Sequence, residues 1–408
     1  MNPSSNSSRT IYLFSPFFYP EAISTGRYNT FLAESLVKRG HEVHVIASHP
    51  IFPNWRVTHT DASLEGMVIH RGGSRNIYPK SSLLRRIILE SWFSLHSLLF
   101  WFSLLLTHRL RRSSSVVLAI FPPSLFFSFL SLFIPSTIRR VGIVHDLQSV
   151  YISRKGLIHR LIAFAIHTVE SRGFNSCQHL VFLSHSMMLK AIDCYSIDPR
   201  ICTVSHPFVT LPTTNYPSRA VDLALGSNYH NVIYSGALGD KQEPDRLLAF
   251  LAALQHTDPL IKCHIFSAGP HFDRLRLEAT RLDVSFHDLV PSSELPALYA
   301  RSFVQIIPQS FGTGDGSLPS KLPNLLAAGV PIFAICEPGS ELGSLVSTFR
   351  AGAVSHHWDP LTLVSDFLAS WSCFTHETHF QRRSRLKDQV STTFGIESVI
   401  DHIISNPA

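Results

Sequence analysis

Along this chain, short runs of consecutive apolar residues alternate with longer stretches carrying apolar side chains every three or four positions. Ile11–Ser15 is one such run, followed by a loop over 16–25 and by Phe31, Leu32, Leu36 and Val37 at helical spacing. Arg39-Gly40 closes that helix, and Glu42–Ala47 reads as the next strand. Apolar strands joined through amphipathic helices predict a parallel sheet with right-handed crossovers. The alternation continues with strands at Val116–Ile120, Ile138–Val144, His179–Leu183 and Ile201–Val204, and with helices over Leu157–Ser171 and Ser184–Ile192. Ser184 is the predicted N-cap of the latter. Between 208 and 230 the periodicity lapses, and Pro212, Pro217 and neighbouring Ser, Thr and Asn mark a linker. Strands then resume at Val232–Ser235, Lys262–Ser267, Phe303–Ile307 and Val330–Cys336. Helices are predicted from about Glu243, after Gly269-Pro270, from Ser292-Ser-Glu294 with Ser293 or Ser292 as cap, and after the cap Asp359. At 408 residues the chain exceeds what one core organises. The expectation is an α/β protein of two parallel-sheet domains, 1–207 and 231–385, joined by 208–230 and followed by helices over 386–408.

One stretch departs from this rhythm. Trp92–Leu106 is almost wholly apolar and is flanked by Arg85-Arg86 and by Arg109, Arg111 and Arg112. Fifteen residues fall short of the roughly 20 that span a bilayer. An aromatic-rich apolar helix near 83–110 with basic ends instead suits the surface of an anionic leaflet, or else a core helix with solvated arginines. Ser124–Ile134, also apolar, is shorter still.

Composition narrows the class. The formal charge of +6 favours anionic partners such as nucleotide diphosphates or lipid headgroups. Six cysteines are scattered without a C-x-x-C, which fits a reduced compartment better than a disulfide framework or a zinc site. The polar start MNPSSNSSRT lacks the order of a signal peptide. No Asp-x-Asp, Walker P-loop or G-x-S-x-G occurs, and no G-x-G-x-x-G follows the first strand, which argues against a dinucleotide oxidoreductase.

Candidate chemistry concentrates at Phe311–Pro331. Gly312, Gly314 and Gly316 make a flexible loop; Pro319 suits the first turn of a following helix striped by Leu322, Leu325, Leu326 and Ala328 and closed by Gly329. A glycine-rich loop entering a helix offers N–H groups to an anion, with Ser320 and Lys321 alongside; an ordinary surface loop before a core helix fits equally well. Gly314-x-Gly316 and Ala327-Ala-Gly-Val-Pro331 resemble the signature of family 4 glycosyltransferases, retaining enzymes of the GT-B fold. Two glutamates of that signature are replaced, by Thr313 and Lys321. Pro319-Ser-Lys321 is similar to a subgroup near the colanic-acid and O-antigen glycosyltransferases. Arg39–Val43 (RGHEV), His145-Asp146, Glu170-Ser-Arg172, Val181–Ser184 and Val204–Phe208 resemble further family landmarks in order. Ser24-Thr25-Gly26 stands where the family usually has a Gly-Gly pair.

The resemblance implies two Rossmann-like domains facing across a cleft, with Glu397–Ile404 crossing back onto the first. Ligands of open parallel sheets bind beyond the strands' carboxyl ends. That rule and the resemblance select Gly236, Lys241, Gln242, Gly314, Gly316, Ser320, Lys321 and Glu341 for a nucleotide-diphosphate-sugar donor. Thr25 and Gly26 are selected for the acceptor, and His145, Asp146 and Lys321 for catalysis. Ala237 stands at the family's usual arginine position in the donor loop. Lys241 also reads as a solvated lysine, Glu341 as part of a helix cap, and His145 as one structural histidine among 23. No metal site and no cofactor are expected, so N–H groups and cations must stabilise the leaving diphosphate. The expected activity is retaining transfer of a hexosyl group to a saccharide acceptor, lipid-linked, in polysaccharide biosynthesis. The expected location is the inner face of the cell membrane, peripherally bound, with no nucleic-acid partner. The alternatives are a nucleotide-sugar 2-epimerase, against which the apolar helix speaks, and a non-catalytic membrane-bound partner of a glycosyltransferase.

Overall fold

A computed structural model describes residues 8–405 except 22, 52–54, 76–77, 80, 108–114, 149–156, 213–216, 228 and 317. Arg109, Arg111 and Arg112 thus lie outside the described residues. The chain divides into two compact units: one runs through His206 and resumes at Ile396, and the other is Pro207–Gly395.

The sheet of the first unit comprises β1 (Thr10–Phe14), β2 (Glu42–Ala47), β3 (Met67–Arg71), β4 (Ser115–Phe121), β5 (Arg139–Val144), β6 (His179–Phe182) and β7 (Cys202–Val204). Its order is β3-β2-β1-β4-β5-β6-β7, and every pairing is parallel. β1 and β4 lie in the middle with Ile11 opposite Val116, and both strands are buried along their whole length. This is why they read as unbroken apolar runs. The helices are α1 (Ser24–Lys38), α2 (Ser82–Leu106), α3 (Leu125–Leu130), α4 (Leu157–Asn175), α5 (His185–Tyr195) and, from the chain's end, α15 (Ile396–Ile404). Ser184 caps α5 by accepting from Met187 N. α15 buries Val399, Ile400, Ile403 and Ile404, and Arg39 at the end of α1 pairs with its Glu397 and Asp401.

The second unit holds β8 (His230–Ser235), β9 (Ile261–Ser267), β10 (Ser285–Asp288), β11 (Val304–Pro308), β12 (Ile332–Ile335) and β13 (Gly352–Ser355). Their order is β10-β9-β8-β11-β12-β13, again parallel throughout. Around them lie α6 (Arg219–Leu225), α7 (Pro244–Gln255), α8 (Pro270–Glu278), α9 (Leu295–Arg301), α10 (Leu322–Ala328), α11 (Glu341–Thr348), α12 (Pro360–Ala369), α13 (Trp371–Thr375) and α14 (His379–Thr393).

Several expectations need correcting. The segment 208–230 is not simply a linker: α6 packs Val221 and Leu225 against Ile233, Phe266 and Leu298 of the second unit. Its seven residues are too few to show a period beside so many turn-forming neighbours. The second unit extends past 385 to Gly395, because α14 places Leu386 and Val390 in a core with Leu322, Leu325 and Leu326. Buried Arg382 of α14 also donates to Gly329 O and Cys373 O. α2 has 25 residues and starts where the helix near 83–110 was expected to, with Arg85 and Arg86 inside it; it ends at Leu106. Its Leu84–Leu106 stretch is long and apolar enough to cross a membrane by length and composition. Ser292 lies in a 3-10 turn, and no serine side chain caps α9.

Candidate functional site

Both sheets have a point where strand order reverses: between β1 and β4, and between β8 and β11. Loops leaving neighbouring strands part there and open a crevice at the carboxyl edge.

In the second unit, most of the candidate donor residues gather at that edge. Gly236 follows β8 with φ 137° and nothing within 4 Å of where a Cβ would stand, so its backbone is open to close approach. The loop then folds on itself: Gln242 accepts from Gly239 N through its side chain, which gives this amide a capping role. Lys241 presents its carbonyl to Ser310 N, and Ser310 Oγ donates to Glu243, tying the β8 loop to the loop after β11.

Lys321 occupies the reversal itself. Its Nζ donates to Ser235 O at 3.2 Å and to Ile306 O at 2.8 Å, one carbonyl from each of β8 and β11. The ammonium also lies 4.4 Å from the centroid of the Tyr234 ring. Burial lowers its pKa to about 7. The sequence reading placed this ammonium among the N–H groups of the glycine loop. Instead, the N–H groups of Gly312 and Gly314 bond the carboxylate of Glu337, at 2.9 and 3.2 Å. Gly314 begins a short 3-10 turn ending at Gly316, where a Cβ on Gly314 would strike Glu337. α10 begins at Leu322, with Pro323 rather than Pro319 in its first turn. Ser320 is exposed just before it. Glu341 opens α11, which Ser340 caps by accepting from Gly343 N.

Glu337 opens the stretch Glu337–Glu341, which the strand-end rule selects after β12, but its carboxylate serves the N–H groups of the glycine loop, a partnership that no sequence pattern marks.

In the first unit, His145 follows β5, its backbone N–H donating to Phe121 O. Its ring meets Tyr28 of α1 edge-on at 4.6 Å, and Nε2 is buried with no hydrogen-bond partner among the described residues. Burial lowers its pKa to about 3, so the imidazole is neutral. Asp146 adjoins it. Thr25 and Gly26 lie in the first turn of α1, and Gly26 is packed against Glu21, whose carbonyl would sit 2.9 Å from an added Cβ. That glycine answers an internal contact. Among the described residues no three His, Cys, Asp or Glu side chains are placed to hold a metal.

Residues 25–211 match the model of Glycosyltransferase Family 4. This segment is a family 4 glycosyltransferase domain. The chain is also 25% identical over 355 residues to the putative colanic acid biosynthesis glycosyl transferase WcaI of Escherichia coli (strain K12), covering 83% of this chain and 86% of that protein. Among solved structures it is similar to sucrose-phosphate synthase from Thermosynechococcus elongatus, with TM-score 0.71, 15% identity and 96% of each chain covered. A trehalose-6-phosphate protein of E. coli bound with UDP-2-fluoro glucose gives TM-score 0.64 at 11% identity, covering 98% of this chain and 99% of that one. At such identities these two establish the fold, which is GT-B. Glycosyl transfer is the activity common to the family 4 domain and the curated relative.

Proposed function

We propose that this family 4 protein is a retaining, metal-independent hexosyltransferase of polysaccharide biosynthesis, using a nucleotide-diphosphate sugar. The observation that carries the reading is the carboxyl edge of the second unit. There the Lys321 ammonium bonds the carbonyl of Ser235, next to an open Gly236, at the β8/β11 reversal, and the glycine loop follows β11 with its Gly312 and Gly314 N–H groups held by Glu337. Backbone N–H groups and one cation are what a leaving diphosphate needs without a metal. In the transfer, the acceptor hydroxyl oxygen bonds the anomeric carbon on the face from which the diphosphate oxygen departs. The hydroxyl proton passes to that departing oxygen. His145 is proposed to act as a neutral hydrogen-bonding group toward the sugar, because its ring stays uncharged throughout the physiological range.

The acceptor is proposed to be a lipid-linked saccharide met at the inner face of the cell membrane. What supports this is the outer face of α2, where Leu84, Ile87, Trp92, Leu95, Leu99 and Leu106 are exposed. Arg85, Arg86 and Glu90 within the helix favour lying along the interface over crossing it. Incubation of the purified protein with a panel of sugar nucleotides tests the function directly. A donor at 100 times its dissociation constant stabilises a protein by about 2.7 kcal/mol, which is visible as a raised melting temperature. Absence of any shift or turnover across the panel would favour the non-catalytic alternative that the loss of the two signature glutamates raises.

A further inference from the structure

Beside α2 the first unit contains a polar niche that the chemistry above does not use. One pocket of about 130 Å³ lies between α2, the start of α3 and α4. A second, of about 190 Å³, adjoins it, and the two share Arg86, Glu90 and Gln148 as walls. Both pockets touch residues immediately after β4 or β5, at the carboxyl edge of the sheet.

The walls are built, but not satisfied. Glu90 accepts from Arg86 Nε and from Leu125 N. Glu170 accepts from Gln148 N at 2.8 Å and from Tyr195 Oη at 2.7 Å. With both carboxylates held in this way, Arg86 Nη2, Ser124 Oγ and Gln148 Oε1 remain buried with no hydrogen-bond partner among the described residues. Ser124 itself is only 1% exposed. Buried polar groups are ordinarily hydrogen-bonded, so three without partners around one cavity point to a missing ligand.

The donor and acceptor pattern defines that ligand. Arg86 and Ser124 offer hydrogens, whereas Gln148 and the flanking carboxylates take them. A phosphate would meet two carboxylates at close range, but a hydroxyl both donates and accepts. The second pocket adds Phe17, an aromatic face of the kind that packs on a pyranose ring, and Trp55, whose ring Arg85 covers on one side. Outward from the niche the surface turns apolar. Ile87, on the wall, is exposed, and on α4 Leu161 and Phe164 are 60% and 69% exposed.

We propose that the niche between α2 and α4 is a saccharide subsite for an amphiphilic acceptor, its sugar against Arg86, Ser124 and Gln148 and its chain along the apolar side chains of α2 and α4. The assignment rests on the glycosyltransferase reading, and it moves acceptor recognition away from Thr25 and Gly26.

The test uses the whole chain and short alkyl glycosides below their micelle concentration: hexyl glucoside, galactoside and mannoside, with the free sugars and hexanol as controls. At least one hexyl glycoside should bind the wild type more tightly than its free sugar or hexanol. The double variant Ser124→Ala, Gln148→Leu removes Ser124 Oγ and Gln148 Oε1, which bond nothing among the described residues, and should weaken that binding about tenfold or more. Ala165→Trp, on an exposed α4 position lining the niche, should block it at unchanged melting temperature. Wild-type binding by the blocked variant, or no binding of any hexyl glycoside by the wild type, overturns the proposal. Sugar-nucleotide stabilisation is read in parallel and should be the same in all variants. If it is absent even in the wild type while the glycoside results hold, the enzymatic reading fails and the subsite stands.

Discussion

Glu337 holds the glycine loop by occupying the N–H groups that an incoming anion would use. The glutamate-to-glutamine change keeps the shape and one acceptor while removing the negative charge. Glu337→Gln should therefore tighten donor binding by about three- to tenfold at low ionic strength, with the gain fading as salt screens it. Calorimetric titration at two salt concentrations checks this, and unchanged or weaker binding would place the diphosphate elsewhere. Lys321 makes a complementary case. Its amine is charged below a pKa of about 7 and increasingly neutral above it. Donor affinity should thus fall between pH 6 and 8, and Lys321→Met should flatten that profile and weaken binding by about tenfold at pH 6. Stability should move oppositely. The unfolded lysine titrates near 10.5, so between pH 7 and 10.5 the unfolded state binds the extra proton and native stability rises with pH; below 7 the full burial penalty remains. Lys321→Met should then melt no lower than wild type at pH 6. A clear drop would make the ammonium a structural brace.

Among the elements, α2 shows both the reach and the limit of reading a sequence. Its apolar character was legible from Trp92–Leu106 and its start near 83 from the residues before it, but the partners of Arg85 and Arg86 were not. Arg85 in fact stacks over Trp55 at 3.8 Å and Arg86 turns to Glu90, contacts made with residues remote or one turn away. Replacing Leu95, Leu99 and Leu106 with Ser on the exposed face should shift the protein from the vesicle-bound to the soluble fraction without lowering its melting temperature. A lowered melting temperature with unchanged partition would assign that face to internal packing. The central strands were legible because burial on both faces leaves no polar positions. β3, β10 and β13, at sheet edges, escaped notice, being short and only partly buried. In the site, the glycine loop and Lys321 were visible as residue types. Their partners were not, since Ser235 O and Ile306 O lie in strands, and Glu337 just after one, whose neighbours in the sheet are set by topology.

For the whole molecule, activity should survive chelation: EDTA should leave transfer unchanged, and loss that Mn²⁺ restores would refute a site built on N–H groups and a lysine. Acid should be a weak point. His145 and His264 have pKa values lowered by burial to about 3, and His70, His179 and His379 to about 4. Each stays neutral in the fold while the unfolded chain takes up protons near 6.5, so stability should decline as pH falls through that value toward 4. Finally, the return of α15 to the first unit has an outcome in time. Because that unit needs Val399, Ile400, Ile403 and Ile404 to close its core, it cannot be completed until the whole of the second unit has been made. The second unit, uninterrupted from Pro207 to Gly395, has all its pieces earlier. On the ribosome the order of folding is thus the reverse of the order of synthesis, and the first unit must wait, with its apolar strands already translated, for a helix made after the whole second unit.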